Sequence, residues 1–334
     1  KENLFNSVAN TILTLLSLGL VYWLLRQLIV FVFVQADWRV VTQNLVLFAI
    51  GQYPRAEAWR TVASLALVAV LAVASVIFWQ RSRVMRRILT VLWVLSPVMI
   101  VVLLSGFRGS SVLPFVRTQL WSGLLLTIML TVVGISASFP LGVLLALGRR
   151  SDMAIIKLLS TVYIEVIRGV PLISILFMAQ ALLPLFVGNR NLDVVLRAMA
   201  GITLFSAAYL AENVRGGLQA VPGGQIEAAQ ALGLSAPLVT GLIVLPQALR
   251  TVIPAIVGQF ISLFKDTTLV SIITLLDLLG ISEAALAQDP EFQSHKLEVY
   301  LFLAAVYFVF SYIMSSAARR IEENTSAMGG TRRL

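Results

Sequence analysis

Apolar residues run through this chain in blocks too long and too uniform for the alternating faces of a water-soluble fold. A bilayer core needs about 20 apolar residues per helix, and eight runs approach or exceed that length. Three precede position 110: Thr11–Val34, Thr61–Trp79 and Ile88–Leu104. Five follow: Leu120–Gly148, residues 154–187, Val194–Val214, Leu242–Leu279 and Val299–Ala317. The fifth and seventh are too long for one straight crossing, and each is interrupted by polar residues and proline. The pattern therefore predicts bent or broken helices there, not extra spans. The expected fold is an all-α integral membrane protein with about eight transmembrane helices.

Composition supports that reading and narrows the chemistry. Of 334 residues, 59 % are hydrophobic and 12 % charged, and the mean hydropathy is +0.92. A soluble domain carries roughly a quarter charged residues, so this chain must find apolar surroundings in lipid. Zero cysteines remove thiol chemistry, and the single histidine, His295, excludes a multi-His metal centre within one chain. No metal site is expected. The net charge of +9 sits in short arginine clusters between apolar runs, a pattern of membrane topology, so nucleic acid is not an expected partner. No signal-peptide core opens the chain, and its first residue, Lys1, is not Met; part of a native N-terminus is expected to be absent.

Orientation follows from the basic residues of the short connections. Arg81, Arg83, Arg86 and Arg87 crowd the second connection and place it in the cytoplasm, which puts both termini inside. Ser110, Ser111 and Pro114 then read as a linker between an accessory region, 1–114, and a denser core, 115–320, with a cytoplasmic tail at 321–334. Within the fourth span Gly123, Thr127 and Thr131, and again Gly134, Ser138, Gly142 and Ala146, recur at small-residue spacing suited to close helix packing in lipid.

Residues 221–237, between the sixth and seventh spans, carry the most information. Gln225 to Leu232 are good helix formers, Gly233 is a C-terminal stop, and Ser235 and Pro237 suit the start of the next helix. An interfacial helix on lipid headgroups would carry Lys or Arg on its polar face. This one carries Glu227 and no base, which favours a rigid docking element for another protein.

The same residues resemble a known signature. Glu227-Ala228-Ala229, then Gly233, Ile243, Leu245 and Pro246 match EAA-x3-G-x9-I-x-LP throughout, the mark of permease subunits of binding-protein-dependent ABC importers. Segments 163–172, 208–217, 245–249 and 264–269 resemble the histidine/glutamine type of polar amino-acid permease. Val170 and Gly224 depart from that family's usual residues, away from the coupling positions. Asn3 to Asn6, Gly51 to Pro54 and Trp59-Arg60 look like the longer permeases of general L-amino-acid importers. The resemblance covers residues 115–320. It implies a type I permease core of five helices preceded by three accessory helices. It also implies coupling through Glu227, Ala228, Ala229, Gly233, Leu245 and Pro246 to a dimeric ATP-binding subunit that holds ATP and Mg, with no cofactor on this chain. A second, related permease and a periplasmic or extracellular binding protein are the other implied partners, in a bacterial inner membrane. The implied substrates are acidic and neutral polar L-amino acids.

Independently of the family, no Gly-Lys pair occurs, so the phosphate cradle of a P-loop is missing and the chain is not expected to be an enzyme alone. Pro246 and Pro254 each remove a backbone donor and should loosen the helix above the knuckle. Ionisable residues within spans are costly and tend to face protein or water. Glu165 and Arg168, on one helical face, are expected to form a mutual ion pair that pins the break at Gly169 and Pro171, with substrate contact as the alternative that places both in the candidate substrate path. Lys265, Asp266, Thr267 and Thr268 interrupt a long apolar run, where a broken helix would free backbone groups for an amino acid's charges. Tyr209 and Glu212 complete the candidate substrate path. A channel is disfavoured by the docking loop, and an intramembrane hydrolase by the lack of a nucleophile–base pair. An ion-coupled secondary carrier, using Lys265, Asp266 and Asp277, is the alternative.

Overall fold

The structure, a computed structural model, describes residues 4–78, 81–188 and 192–330. Trp79, which closes the second predicted span, and the tail after residue 330 lie outside them. Among the described residues the fold is helical, with two isolated bridges and no strand. The helices are α1 (Val8–Val30), α2 (Arg39–Ile50), α3 (Ala58–Phe78), α4 (Arg83–Ser105), α5 (Gly123–Arg149), α6 (Ala154–Gly169), α7 (Leu172–Phe186), α8 (Val194–Ala220), α9 (Gly223–Ala231), the single turn α10 (Ala236–Leu238), α11 (Leu245–Asp266), α12 (Leu278–Gln288) and α13 (Lys296–Gly330).

Short polar residues start many of these helices where the apolar runs begin. Ser7 accepts from the Asn10 amide, Ser82 from that of Met85, and Asp193 from those of Val195 and Leu196, which satisfies amides left without intrahelical partners. Among the described residues, seven helices are long and apolar enough to cross a bilayer, and the fifth run adds the bent pair α6–α7. Those two helices meet at 114° because Pro171 cannot continue a helix and restricts Val170 to extended backbone. The seventh run stays helical but changes pitch. It passes from α10 through a π-helical stretch, Val239–Val244, into α11, and tightens to a 3-10 helix over Thr267–Ile273. Thr274, at φ 68°, ends it in the left-handed region.

Two helices lie outside the predicted set. The segment after α1 forms α2, and the segment after Thr274 forms α12, capped by Asp277 through the Gly280 amide at 3.0 Å. Val40, Val41 and Phe48 of α2 pack with Leu278, Ile281, Val299 and Leu303 of α12 and α13. Neither helix is long enough to span, so these apolar faces bury protein, not lipid.

The centre of the bundle is α5 against α8. Here small residues permit the approach: a Cβ on Gly142 would stand 2.7 Å from the Leu210 Cβ and 3.1 Å from the Ala207 carbonyl oxygen. Thr127, Thr131, Gly134, Ser138, Gly142 and Ala146 are all buried on α5, as the spacing predicts. Leu126, Leu130, Leu176, Ala198 and Ile202 fill one side of this contact.

Of three polar bonds made by the α2–α3 region, one ties the first third to this bundle, through Ser122, and two brace that third internally. Tyr53 Oη donates to the Leu104 carbonyl at 2.8 Å, the Gln52 amide to Ser122 Oγ at 2.7 Å, and Arg60 Nη1 to the Pro114 carbonyl at 2.9 Å. α1 differs from its neighbours: none of its residues is buried.

Candidate functional site: a helical knuckle and an ion-pair hub

The knuckle begins where α8 ends. Val221 and Pro222 are extended or turn residues that break α8 and orient α9. Just past the end of α9, Gly233 takes φ +78°, a conformation that favours glycine. Its amide donates to the Gln230 carbonyl at 2.8 Å, and the Leu234 amide to that of Ala229 at 3.2 Å. These bonds close the helix C-terminus and turn the chain back within a few residues. Ser235 sits at the start of α10, but its side chain makes no capping bond; its carbonyl accepts from the Val239 amide instead.

One face of the knuckle is anchored. Ala229 is buried, and Ile226, Leu234 and Val221 pack around it against Val239, Ile243 and Val244. Leu245 lies on that packed side, while Pro246 is exposed. The opposite face is free: Glu227, Ala228 and Gly233 are exposed, and Leu232 is 82 % exposed. A helix clamped from behind that exposes an acidic side chain and, just past its C-terminal end, a leucine makes a stiff contact element.

The second cluster lies where α5, α6 and α8 converge. Glu212 of α8 is its hub. Arg149 reaches it at 3.3 Å, Arg168 at 3.4 Å, and Arg215 embraces both carboxylate oxygens, with Nε at 2.9 and 3.0 Å. Glu165 pairs with Arg149 at 2.7 Å. The expected Glu165–Arg168 pair is therefore not formed. Arg149, arriving from the end of α5, takes the glutamate, and Arg168 turns to Glu212 and over the Tyr209 ring, 5.6 Å from its centroid. The break at Gly169 and Pro171 is held by tertiary pairs and not by a local one. Arg149 and Arg215 are hub residues that the sequence pattern does not single out, because their partners Glu165 and Glu212 are fixed by the meeting of α5, α6 and α8.

Lys265, Asp266, Thr267 and Thr268 do not join this hub. Gly217 of α8 meets Ala248 and Val252 of α11. At 1.5 Å per residue, Glu212 and Lys265 then stand about 12–18 Å apart along the bundle axis. The backbone at Lys265–Thr268 does not open either: Thr267 Oγ1 donates to the Phe264 carbonyl at 2.7 Å and Thr268 Oγ1 to that of Lys265 at 2.9 Å. The expected break is a change of helical pitch. Lys265 lies on an exposed strip of α11 with Thr251, Ala255, Gly258 and Ser262, whose small side chains leave room for a neighbour.

Known proteins resemble the stretch of chain that contains both clusters. Residues 138–326 match the family described as "Binding-protein-dependent transport system inner membrane component". Over 97 % of its length the chain is 40 % identical to the inner membrane amino-acid ABC transporter permease protein YhdY of Escherichia coli K12, covering 91 % of it. It is 48 % identical over 63 % of its length to the glutamate/glutamine/aspartate/asparagine transport system permease protein BztC of Rhodobacter capsulatus, and spans 49 % of that longer protein. Among solved structures, a chain of a crystal structure of "an amino acid ABC transporter with histidines" is similar over 60 % of this chain and 92 % of its own, with 33 % identity and a TM-score of 0.53.

Proposed function

This chain belongs to the family of binding-protein-dependent transport system inner membrane components, and from that premise we propose how it works and what it carries. It is a multi-pass permease subunit of an amino-acid ABC importer and is not catalytic on its own. In the proposed mechanism the knuckle around Glu227 docks into an ATP-binding subunit. The family makes that ATPase and a binding protein the partners, and ATP and Mg act on the ATPase. Closure of the ATPase pair pushes α9, and the clamp of Ala229 against Val239 and Val244 transmits the push to α11 as a rigid body. Pro246 and the π-helical turn below it weaken the backbone ladder where bending is needed. The observation that carries this reading is the clamped helix with its free acidic and apolar face.

The exposed strip of α11, from Thr251 to Lys265, supports a second, related permease packing there, with the translocation path between the two. Lys265–Thr268 and the Glu212 hub with Glu165, Arg168 and Tyr209 would be two levels of that path, since one amino acid cannot touch both. Acidic and neutral polar L-amino acids are the proposed substrates, supported by the named substrates of the Rhodobacter relative. The division at residue 114 and the cytoplasmic placement of both termini belong to the same proposal.

Proteoliposomes test the energy source. Uptake should require the ATPase subunit, binding protein and ATP, and should survive a protonophore. Uptake that ignores ATP and collapses with the proton gradient would favour the ion-coupled carrier instead.

A further inference from the structure

From residue 58 to residue 151 the chain contains no Asp or Glu. Near the middle of that stretch, Arg81, Arg83, Arg86 and Arg87 crowd the connection from α3 to α4 and the first turns of α4. The first turn of α4 holds no acidic residue, so the positive end of the helix dipole adds to the arginines instead of being neutralised. Among the described residues, no ion pair involves Arg81, Arg86 or Arg87, and all three are exposed.

The walls beneath these charges are apolar and unpartnered. α3 and α4 pack on each other, and Trp93 Nε1 donates to Ser75 Oγ at 2.9 Å across them. The hairpin joins the bundle through its far end, where Ile100 and Leu104 enter the core. Its near half faces outward: Val73, Val76 and Ile77 of α3 and Val84, Val91 and Val94 of α4 are each more than half exposed. An apolar stalk capped by uncompensated guanidinium groups matches a molecule with acyl chains below an anionic head. Guanidinium forks pair with phosphate oxygens in bidentate fashion.

We propose that the start of α4, with Arg81 just ahead of it, binds anionic phospholipid, with Arg81, Arg86 and Arg87 on the headgroup phosphates and the outward valines against the acyl chains. The accessory hairpin is thereby held at one membrane surface by lipid charge as well as by its contact with the core. In the orientation proposed above that surface is the inner leaflet; the sidedness rests on that orientation, whereas the lipid binding does not.

The test uses the full chain in nanodiscs of phosphatidylcholine alone or of an equal mixture with phosphatidylglycerol. Retention of each lipid after mild delipidation is read by native mass spectrometry, alongside thermal stability. Each arginine near an anionic surface is worth about 1 kcal/mol, so the two lost in R86Q/R87Q should cost roughly thirtyfold in preference for phosphatidylglycerol. R86K/R87K should keep most of it, and added salt should weaken it in the unsubstituted protein. Equal retention in R86Q/R87Q and the unsubstituted protein, or a preference indifferent to salt, overturns the proposal. Should R86Q/R87Q fail to fold, the salt titration of the unsubstituted protein decides alone. If neither lipid is preferred but the arginines become protected when the ATPase subunit is added, the connection is a protein contact and the lipid proposal falls. None of these readouts depends on Glu227 or on transport.

Discussion

α1 and α8 are both apolar helices long enough to cross a bilayer, yet they occupy opposite environments. No residue in the apolar window of α1 is buried by the rest of the chain, whereas 67 % of the α8 window is. The difference lies in side-chain size, not in apolarity. α8 carries Ala198, Gly201, Ala207, Ala208, Ala211 and Gly217 along its packed surface, and α1 presents Leu, Ile, Val, Tyr and Trp around its circumference. In lipid, water exclusion does not draw helices together, so backbone approach decides which helix enters the core. The next helix, α2, is shorter and more polar than α1 but buries Val40, Val41 and Phe48.

The sharpest way to break that contrast is truncation of large side chains on both helices. Phe48 is 1 % exposed and packs against Phe302 with the rings tilted and their centroids 5.6 Å apart; F48A should cost about 3–5 kcal/mol and lower the thermal midpoint of the purified protein. Trp23 on α1 is 52 % exposed, and W23A should leave that midpoint within a degree or so of the parent, of the size seen for surface changes. Equal losses would place α1 against a partner surface within the chain.

Glycine substitutions probe the same contrast from the opposite direction. G142V must displace Leu210 and the backbone of α8, an overpacking penalty of about 1–3 kcal/mol. G19V on α1 meets nothing within 4 Å and should be neutral or slightly stabilising, since Gly weakens a helix interior by roughly 0.5–1 kcal/mol. Thermal unfolding of the pair checks this, and a destabilised G19V would contradict the free position of α1.

Much of this architecture was legible in the chain. The apolar runs located the spans, Gly169 and Pro171 the bend between α6 and α7, and Gly233 the turn of the knuckle. α2 escaped because twelve residues interrupted by Arg39, Gln43 and Asn44 fall below any membrane-length pattern, and its buried face is defined only by α12 and α13. α12 escaped because the left-handed Thr274 that frees it is a residue for which that backbone is uncommon. The ion pairs went wrong for a different reason. Glu165 and Arg168 have ideal local spacing, but Arg149 stands closer to Glu165 in space, and pattern within one helix cannot register a competitor from another.

The Glu212 hub yields the next effect. E212Q leaves Arg149, Arg168 and Arg215 without their shared carboxylate. Because the group is about a quarter exposed, the stability loss should be near 1 kcal/mol once solvent screening is included. E165Q removes a single, more exposed partner and should cost less. If E165Q proves the more damaging, the hub is misassigned.

The smallest expected effect lies at the start of α2. Hydrogen bonds from the Arg39 side chain, then its amide, hold the Asp37 carboxyl down at about 2. A depressed carboxylate stabilises the fold above its unfolded value and loses that contribution as pH falls toward 2. D37N should therefore lower stability slightly at neutral pH and flatten the shallow decline between about pH 4 and pH 2, as thermal melts from neutral pH down through that range would show.

The coupling claim is tested most directly by the ratio of ATP hydrolysed to amino acid taken up in proteoliposomes holding the full importer with Glu227 replaced by Arg. An arginine there leaves the buried anchor at Ala229 intact while reversing the charge on the exposed face of α9. The account predicts an inserted, assembled complex whose uptake falls by at least tenfold while hydrolysis continues or loses its dependence on binding protein. Uptake at the parent's rate, with the parent's ratio, would contradict it.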